Sequence, residues 1–244
     1  MKPVAVFQHC HNVQPGHFAS FLDAHRIPWQ LIAIDRGDRV PDSIEAFSGL
    51  CFMGGPMSVN DRLPWIPQEL ALIRQAVATD MPVIGHCLGG QLMALALGGE
   101  VRRNPVKEVG WGPVWATDTS EAQHWLGATQ AAVSSFDAYQ WHGETFSLPE
   151  GAVRILGGEY CANQAYVLGP DGGIHLGMQF HIEMTEALIR DWNTDWSDEC
   201  DLSKPLPPSV QTSATQLAQM PQALPVMRNV ADQLYSRWVQ ALRT

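Results

Sequence analysis

The sequence predicts an α/β protein, a mostly parallel sheet held between two layers of helices. Two observations carry this. Short apolar or β-branched runs alternate with segments of helical periodicity over the first hundred residues, and such alternation builds parallel sheets through crossover helices. Two of the apolar runs end in glycine turns, Gly54-Gly55 and Gly85-His86-Cys87-Leu88-Gly89. In open α/β sheets the carboxyl ends of strands are where ligands sit.

Taken in order, Val4 to Gln8 reads as a first strand and Phe18 to His25 as a helix. Trp29 to Ile34 reads as a second strand and Leu50 to Met53 as a third. Leu70, Ile73, Ala76 and Val77 recur at helical spacing within a helix from about Pro67 to Thr79. Val83 to Gly85 is a fourth strand, and Gly89 to Leu97 its helix. The middle, about Glu100 to Gly177, reads as antiparallel strands and loops, with strands at Gly110–Thr117, Ala131–Ser135, Val153–Gly157 and Ala165–Leu168. Gly177 to Glu183 reads as one more strand, then a helix from about Glu186 to Trp196. An acidic and Pro-rich stretch, Asp198 to Ser209, leads to a last amphipathic helix over about Leu224–Leu242, with Val230, Leu234, Trp238 and Leu242 on one stripe. The expected organisation is a catalytic domain over 1–197. An extension over 198–244 carries the Pro-rich linker and packs its terminal helix on that domain.

A chain of 244 residues with 45% hydrophobic content suffices for one large core. The net charge of −10 argues against nucleic acid as a main partner. No window approaches the roughly 18 apolar residues of a membrane span, so no membrane is expected. The opening apolar run is too short for a signal peptide. Five cysteines form an odd, sparse set that fits free thiols in a reducing cytoplasm.

The turn Gly85-x-Cys87-x-Gly89 lies between a strand and a helix, the nucleophile-elbow arrangement with Cys in place of Ser. It would hold the sulfur at a helix N-terminus, where the dipole and free N–H groups favour a thiolate. Read alone, the turn also admits a buried, inert Cys. A second motif decides between them. Gln179-Phe180-His181-Ile182-Glu183 ends a predicted strand in His-x-Glu, and residues two apart on a strand share a side. His181 as base and Glu183 as its orienting acid complete a nucleophilic triad with Cys87. Gly54 and Gly55, after the apolar run Leu50-Cys51-Phe52, can expose a backbone N–H to a developing oxyanion. Gln91 lies one helical turn past Cys87 and can face the same pocket.

In this order, Gly54-Gly55-Pro56, Gly85-x-Cys87-x-Gly89-x-Gln91 and Gln179-Phe180-His181-x-Glu183 resemble the class I, triad-type glutamine amidotransferase domain. The nearest look is the free-standing group similar to the amidotransferase part of guanylate (GMP) synthase. The resemblance covers about residues 1–190 and implies a flavodoxin-like fold. It implies Cys87 as nucleophile, His181 as general base and acid, and Glu183 as orienting carboxylate, with the N–H groups of Gly55 and Leu88 as oxyanion hole. Gln91 and the loop Trp141-His142-Gly143-Glu144 would hold the substrate's amino-acid end. The chain departs from the family at three places. Ile182 stands where Pro is usual, Gly90 where many members carry His or an aromatic, and His86 where a small or apolar residue is common.

The implied reaction hydrolyses the side-chain amide of glutamine through a thioester, needs no metal or organic cofactor, and supplies ammonia to a synthase partner in trans. A γ-glutamyl hydrolase or peptidase would use the same triad on another γ-glutamyl amide. A ligand-binding module that has lost turnover is the third reading, and the intact triad argues against it. His9-Cys10-His11 would place two imidazoles on one side of a strand, but no further ligand follows at a familiar metal spacing. A loop at the mouth of the site fits these residues better. The ring of His142 reads as structural or pocket-lining rather than as a second base. Lys107-Glu108 fit either a local ion pair or a pocket edge. Cys10, Cys51, Cys161 and Cys200 read as core or loop residues, and Trp192, Trp196 and Trp238 as packing.

Overall fold

The structure, a computed structural model, describes residues 1–127, 134–200 and 205–243. Its strands are β1 (Val4–Gln8), β2 (Trp29–Ala33), β3 (Gly49–Phe52), β4 (Val83–His86), β5 (Val101–Ala116), β6 (Ser135–Phe146), β7 (Val153–Gly158), β8 (Ala165–Leu168) and β9 (His175–Met178). Its helices are α1 (Gly16–Ala24), α2 (Trp65–Ala78), α3 (Leu88–Ala96), α4 (Ser120–Leu126), α5 (Glu186–Asp195) and α6 (Ser213–Val239).

The strands form one sheet in the order β2-β1-β3-β4-β9-β8-β7-β5-β6. From β2 to β9 neighbours run parallel. From β9 outward they run antiparallel. The three-layer αβα architecture expected from the alternating pattern is therefore present, with the middle of the chain extending the same sheet.

Side-chain alternation along the strands sorts the core into two halves. Val4, Val6, Cys51 and Ile84 join the half that holds Phe18, Leu188, Trp192, Tyr235 and Trp238, from α1, α5 and α6. Ala5, Phe7, Leu50, Phe52 and Val83 join the half that holds Ile73 and Leu92, from α2 and α3. Strands buried on both faces read as continuous apolar runs, which is why β1, β3 and β4 were legible.

Several expectations are corrected. The last strand stops at Met178, so His181 and Glu183 lie in the turn beyond it and not on one side of a strand. The Gln179 N–H still donates to the Gln164 carbonyl at 2.8 Å, in register with β8, and the chain then turns away as the His181 N–H donates to the Tyr139 carbonyl at 2.8 Å. Trp141-His142-Gly143-Glu144 is not a loop but part of β6. β5 begins at Val101 rather than Gly110, with a register shift between Arg103 and Glu108, where Pro105 cannot donate to the ladder. Of the strand expected at Ala131–Ser135, residues 131–133 lie outside the described residues, and the observed strand starts at Ser135.

Sequence reading missed α4, whose N-cap Thr119 accepts from the Ala122 N–H. It also began the terminal helix eleven residues late. Pro221 and Pro225 stand inside α6, where proline ordinarily stops a helix. The Thr212 cap and a buried face from Gln216 to Trp238 hold it together through them. His9 and His11 are not strand partners, because β1 ends at Gln8; His9 turns inward and His11 is exposed. Among the described residues no helix is long and apolar enough to cross a membrane.

Candidate active site

β3, β4 and β9 are neighbours in the sheet, and their carboxyl ends deliver Gly54-Gly55, Cys87 and the Gln179–Glu183 turn to one place. Cys87 follows β4 directly and caps α3 with φ 48° and ψ −104°. A side chain in this sparsely populated region costs on the order of 1–3 kcal/mol and persists only where its surroundings impose it. Here they do. The Cys87 N–H donates to the Met178 carbonyl at 2.9 Å, and a Cβ on Gly89 would lie 2.0 Å from the Phe52 carbonyl oxygen. Only glycine lets α3 start this close to β3. Cys87 is buried, yet its side chain lines a cavity of about 540 Å³.

His181 lines the same cavity. Its Nδ1 lies 2.8 Å from Glu183 Oε1, with both side chains buried. The ring sits edge-on against Trp192, centroids 4.7 Å apart, and close to Gly54, where a Cβ would fall 2.7 Å from His181 Cε1. Burial works against an imidazolium here, but Glu183 and Cys87, by charge and hydrogen bonding, outweigh it and raise His181 to about 10. Burial also opposes the Glu183 carboxylate. His181 and His86 overcome that and hold it below the ordinary carboxylate range. Thiol, imidazole and carboxylate thus meet, although not through the strand geometry the sequence suggested.

Of the remaining expected residues, Gly55, Gln91, Trp141, His142 and Gly143 line the cavity. Gly54 lies behind the imidazole. Gly55 adjoins Leu88, a Cβ on it falling 3.0 Å from Leu88 Cδ2. The Leu88 side chain packs into the core on the α2–α3 face and does not line the cavity. The Gln91 amide donates to Gln179 Oε1 at 3.3 Å and to the Glu144 carbonyl at 3.4 Å. Trp141 Nε1 donates to Glu199 at 2.8 Å, and Lys107 pairs with the same carboxylate. Trp141 also packs with Trp192 and Trp196 on the cavity wall.

Four contributors were given no part in the chemistry from the sequence, which read Trp192 as packing and His9 as part of a loop at the mouth of the site. Gln179 sits in the His-x-Glu motif, and its amide points at Cys87 Sγ, 3.7 Å away. Trp192 supports the imidazole. His86 lies beneath the site with Nε2 3.0 Å from the Tyr235 hydroxyl of α6, and burial lowers its pKa. His9 stacks on Trp65 and pairs with Glu69 at 3.0 Å, fully buried. Its Nδ1 lies 3.1 Å from the Met53 carbonyl, which braces the turn before Gly54. No sequence spacing announces these contacts, except for Gln179, whose place beside His181 was the available signal.

The class-I glutamine amidotransferase family model matches residues 26–189. YfeJ of Salmonella typhimurium, a glutamine amidotransferase-like protein, is 32% identical over 168 residues, covering 66% of this chain and 69% of that one. The glutamine-hydrolyzing GMP synthase of Aliivibrio fischeri is 31% identical over 161 residues, 65% of this chain but 27% of that protein. The crystal structure of a glutamine amidotransferase from Methylobacillus flagellatus superposes with a TM-score of 0.93 at 44% identity, covering 100% of this chain and 96% of that one. The chain belongs to the class I glutamine amidotransferase family.

Proposed function

We propose that this class I glutamine amidotransferase hydrolyses the side-chain amide of glutamine at Cys87 and passes the ammonia to a synthase partner bound in trans. The observation that carries the reading is the strained Cys87 at the head of α3, beside an imidazole whose Nδ1 lies 2.8 Å from a buried carboxylate. The Cys87 thiolate attacks the amide carbon, and the oxygen becomes an anion facing the Gly55 and Leu88 N–H groups. Each well-aimed donor there is worth on the order of 10²–10³ in rate. The C–N bond breaks as protonated His181 gives its proton to the departing nitrogen, releasing ammonia. His181 then takes a proton from water, whose oxygen attacks the thioester. Glutamate leaves and the thiolate returns. Gln91 and the β6 segment Trp141–Glu144 would hold the amino-acid end.

A second reading, a γ-glutamyl hydrolase or peptidase, has one observation in its favour. The cavity continues past His181 along Trp141, Trp192 and Trp196 to the Lys107–Glu199 pair, more wall than departing ammonia needs. One assay tests both. Glutamine and a panel of γ-glutamyl amides and peptides are offered, glutamate release is followed with and without cell extract, and intact-protein mass spectrometry looks for an acyl-enzyme. The amidotransferase reading expects slow glutamine turnover that extract accelerates; the hydrolase reading expects rapid cleavage of a γ-glutamyl peptide by the chain alone. Cys87→Ala and His181→Ala should each lose at least about 10⁴-fold in kcat. Near wild-type turnover by Cys87→Ala would sink both readings.

A further inference from the structure

Three residues to which the sequence assigned no shared role meet beside the cavity. Glu108 of β5 and His142 of β6 are direct cross-strand partners. Cys161, in the turn between β7 and β8, comes up against them. Their ligand atoms, a Glu108 carboxylate oxygen, His142 Nε2 and Cys161 Sγ, all lie within 4.8 Å of one another, and all three residues are buried.

The His142 lone pair points inward for a structural reason. His142 Nδ1 lies 2.9 Å from the Glu144 carbonyl. A carbonyl can only accept, so Nδ1 carries the proton and Nε2 presents a lone pair. Nε2 sits 3.0 Å from Glu108 Oε2 but without hydrogen-bond alignment, and no partner satisfies it among the described residues. A buried lone pair facing a carboxylate is costly unless something positive lies between them. Outside this cluster the ligands are braced as metal ligands are. The Gln164 amide donates to Glu108 Oε2 at 3.2 Å, and the Gln140 amide donates to Gln164 Oε1 at 3.2 Å. Thr145 Oγ1 lies 3.1 Å from Cys161 Sγ.

We propose that Glu108, His142 and Cys161 bind a divalent ion of borderline softness, zinc by preference. The mixed oxygen, nitrogen and sulfur set suits zinc rather than magnesium or calcium, which take oxygen ligands. Three protein ligands leave one position for water. His142 lines the cavity, which supplies the path of entry. The ion would clamp β5, β6 and the β7–β8 turn together. The Glu144 carbonyl that receives the His142 proton also receives the Gln91 amide, so the clamp fixes part of the cavity that Cys87 also lines. None of the three residues makes or breaks a bond in the proposed chemistry; His142 lies in the β6 segment proposed to hold the substrate, and the test therefore reads metal binding and not turnover.

The test uses the full chain carrying Cys87→Ala, reduced and stripped with a chelator, and titrated with Co²⁺. The expected result is one equivalent bound with a thiolate-to-cobalt band in the near ultraviolet, displaced by Zn²⁺. Adding Cys161→Ser should abolish that band, and adding Glu108→Gln should weaken Co²⁺ binding at least about tenfold. X-ray absorption of the Zn²⁺-loaded Cys87→Ala chain should show one sulfur with nitrogen and oxygen neighbours, which keeps the test open if Cys161→Ser fails to fold. Absence of Co²⁺ binding, a band untouched by Cys161→Ser, or a zinc shell without sulfur would each overturn the proposal. In that event the cluster holds a proton and not a metal.

Discussion

Replacing Glu183 by Gln keeps the volume of the buried acid and removes its charge. In the native protein Glu183 Oε1 accepts from His181 Nδ1 at 2.8 Å, with both side chains almost wholly out of water, so solvent screens little of the pair. Burial alone would lower His181, and Glu183 together with Cys87 raises it to about 10 against an ordinary value of 6.5. At about 1.4 kcal/mol per pH decade, that is a preference on the order of 5 kcal/mol for the imidazolium. Without the carboxylate only Cys87 is left to oppose burial, and His181 gives up its proton at a lower pH. The Gln amide can also turn its NH₂ toward Nδ1, which stabilises the wrong tautomer. The expected outcome is a loss of about 10²–10⁴ in kcat at pH 7 and a displaced pH profile. On the proposed chemistry, the alkaline limb of kcat/KM on glutamine follows loss of the His181 proton and should fall near pH 10 in the native chain. In Glu183→Gln it should lie at least one pH decade lower. Initial rates of glutamate release between pH 5 and 11 read both effects. A variant within threefold of the native rate at pH 7, with its alkaline limb in place, would refute the view that Glu183 sustains the imidazolium.

The same pair bears on stability. His181 is raised on folding, so its contribution is fully present below pH 6.5 and is lost as pH rises through about 10; urea midpoints across that window should fall in the native chain and stay flatter in Glu183→Gln. A glutamine-like chloroketone should label Cys87 first and be slowed by free glutamine. Burial raises Cys51 well above the ordinary thiol range and Cys161 to about 11, and peptide mapping showing equal early labelling of Cys161 would contradict this. Gly89→Ala should cost about 1–3 kcal/mol or more in chemical denaturation, since its new methyl would sit 2.0 Å from the Phe52 carbonyl; an unchanged midpoint would mean the elbow is less confined than it looks. Tyr235→Phe should cost about 1 kcal/mol by removing the hydroxyl from His86 Nε2.

What the sequence determined by itself was local and periodic. The strands β1, β3 and β4 announced themselves as short apolar runs because both of their faces are buried, and their right-handed helical crossovers leave few ways to assemble them. The elbow was legible because a strand, a turn and a helix that must touch within five residues leave no choice but glycine around Cys87. His181 and Glu183 were singled out because the motif keeps them two apart, although they lie in a turn and not on a strand. The tertiary structure decided what depends on distant segments. It set the turn that folds Glu183 under the imidazole, held by the Tyr139 carbonyl from forty residues upstream. It ran α6 through two prolines, because burial of its face outweighs the two lost hydrogen bonds. It also joined Glu108, His142 and Cys161, which lie on three separate segments. Spacing along a chain records only contacts made within a turn or along a strand. Charge pairs, supporting rings and ligand clusters between strands leave no period in the sequence, and only sheet order and register bring them together.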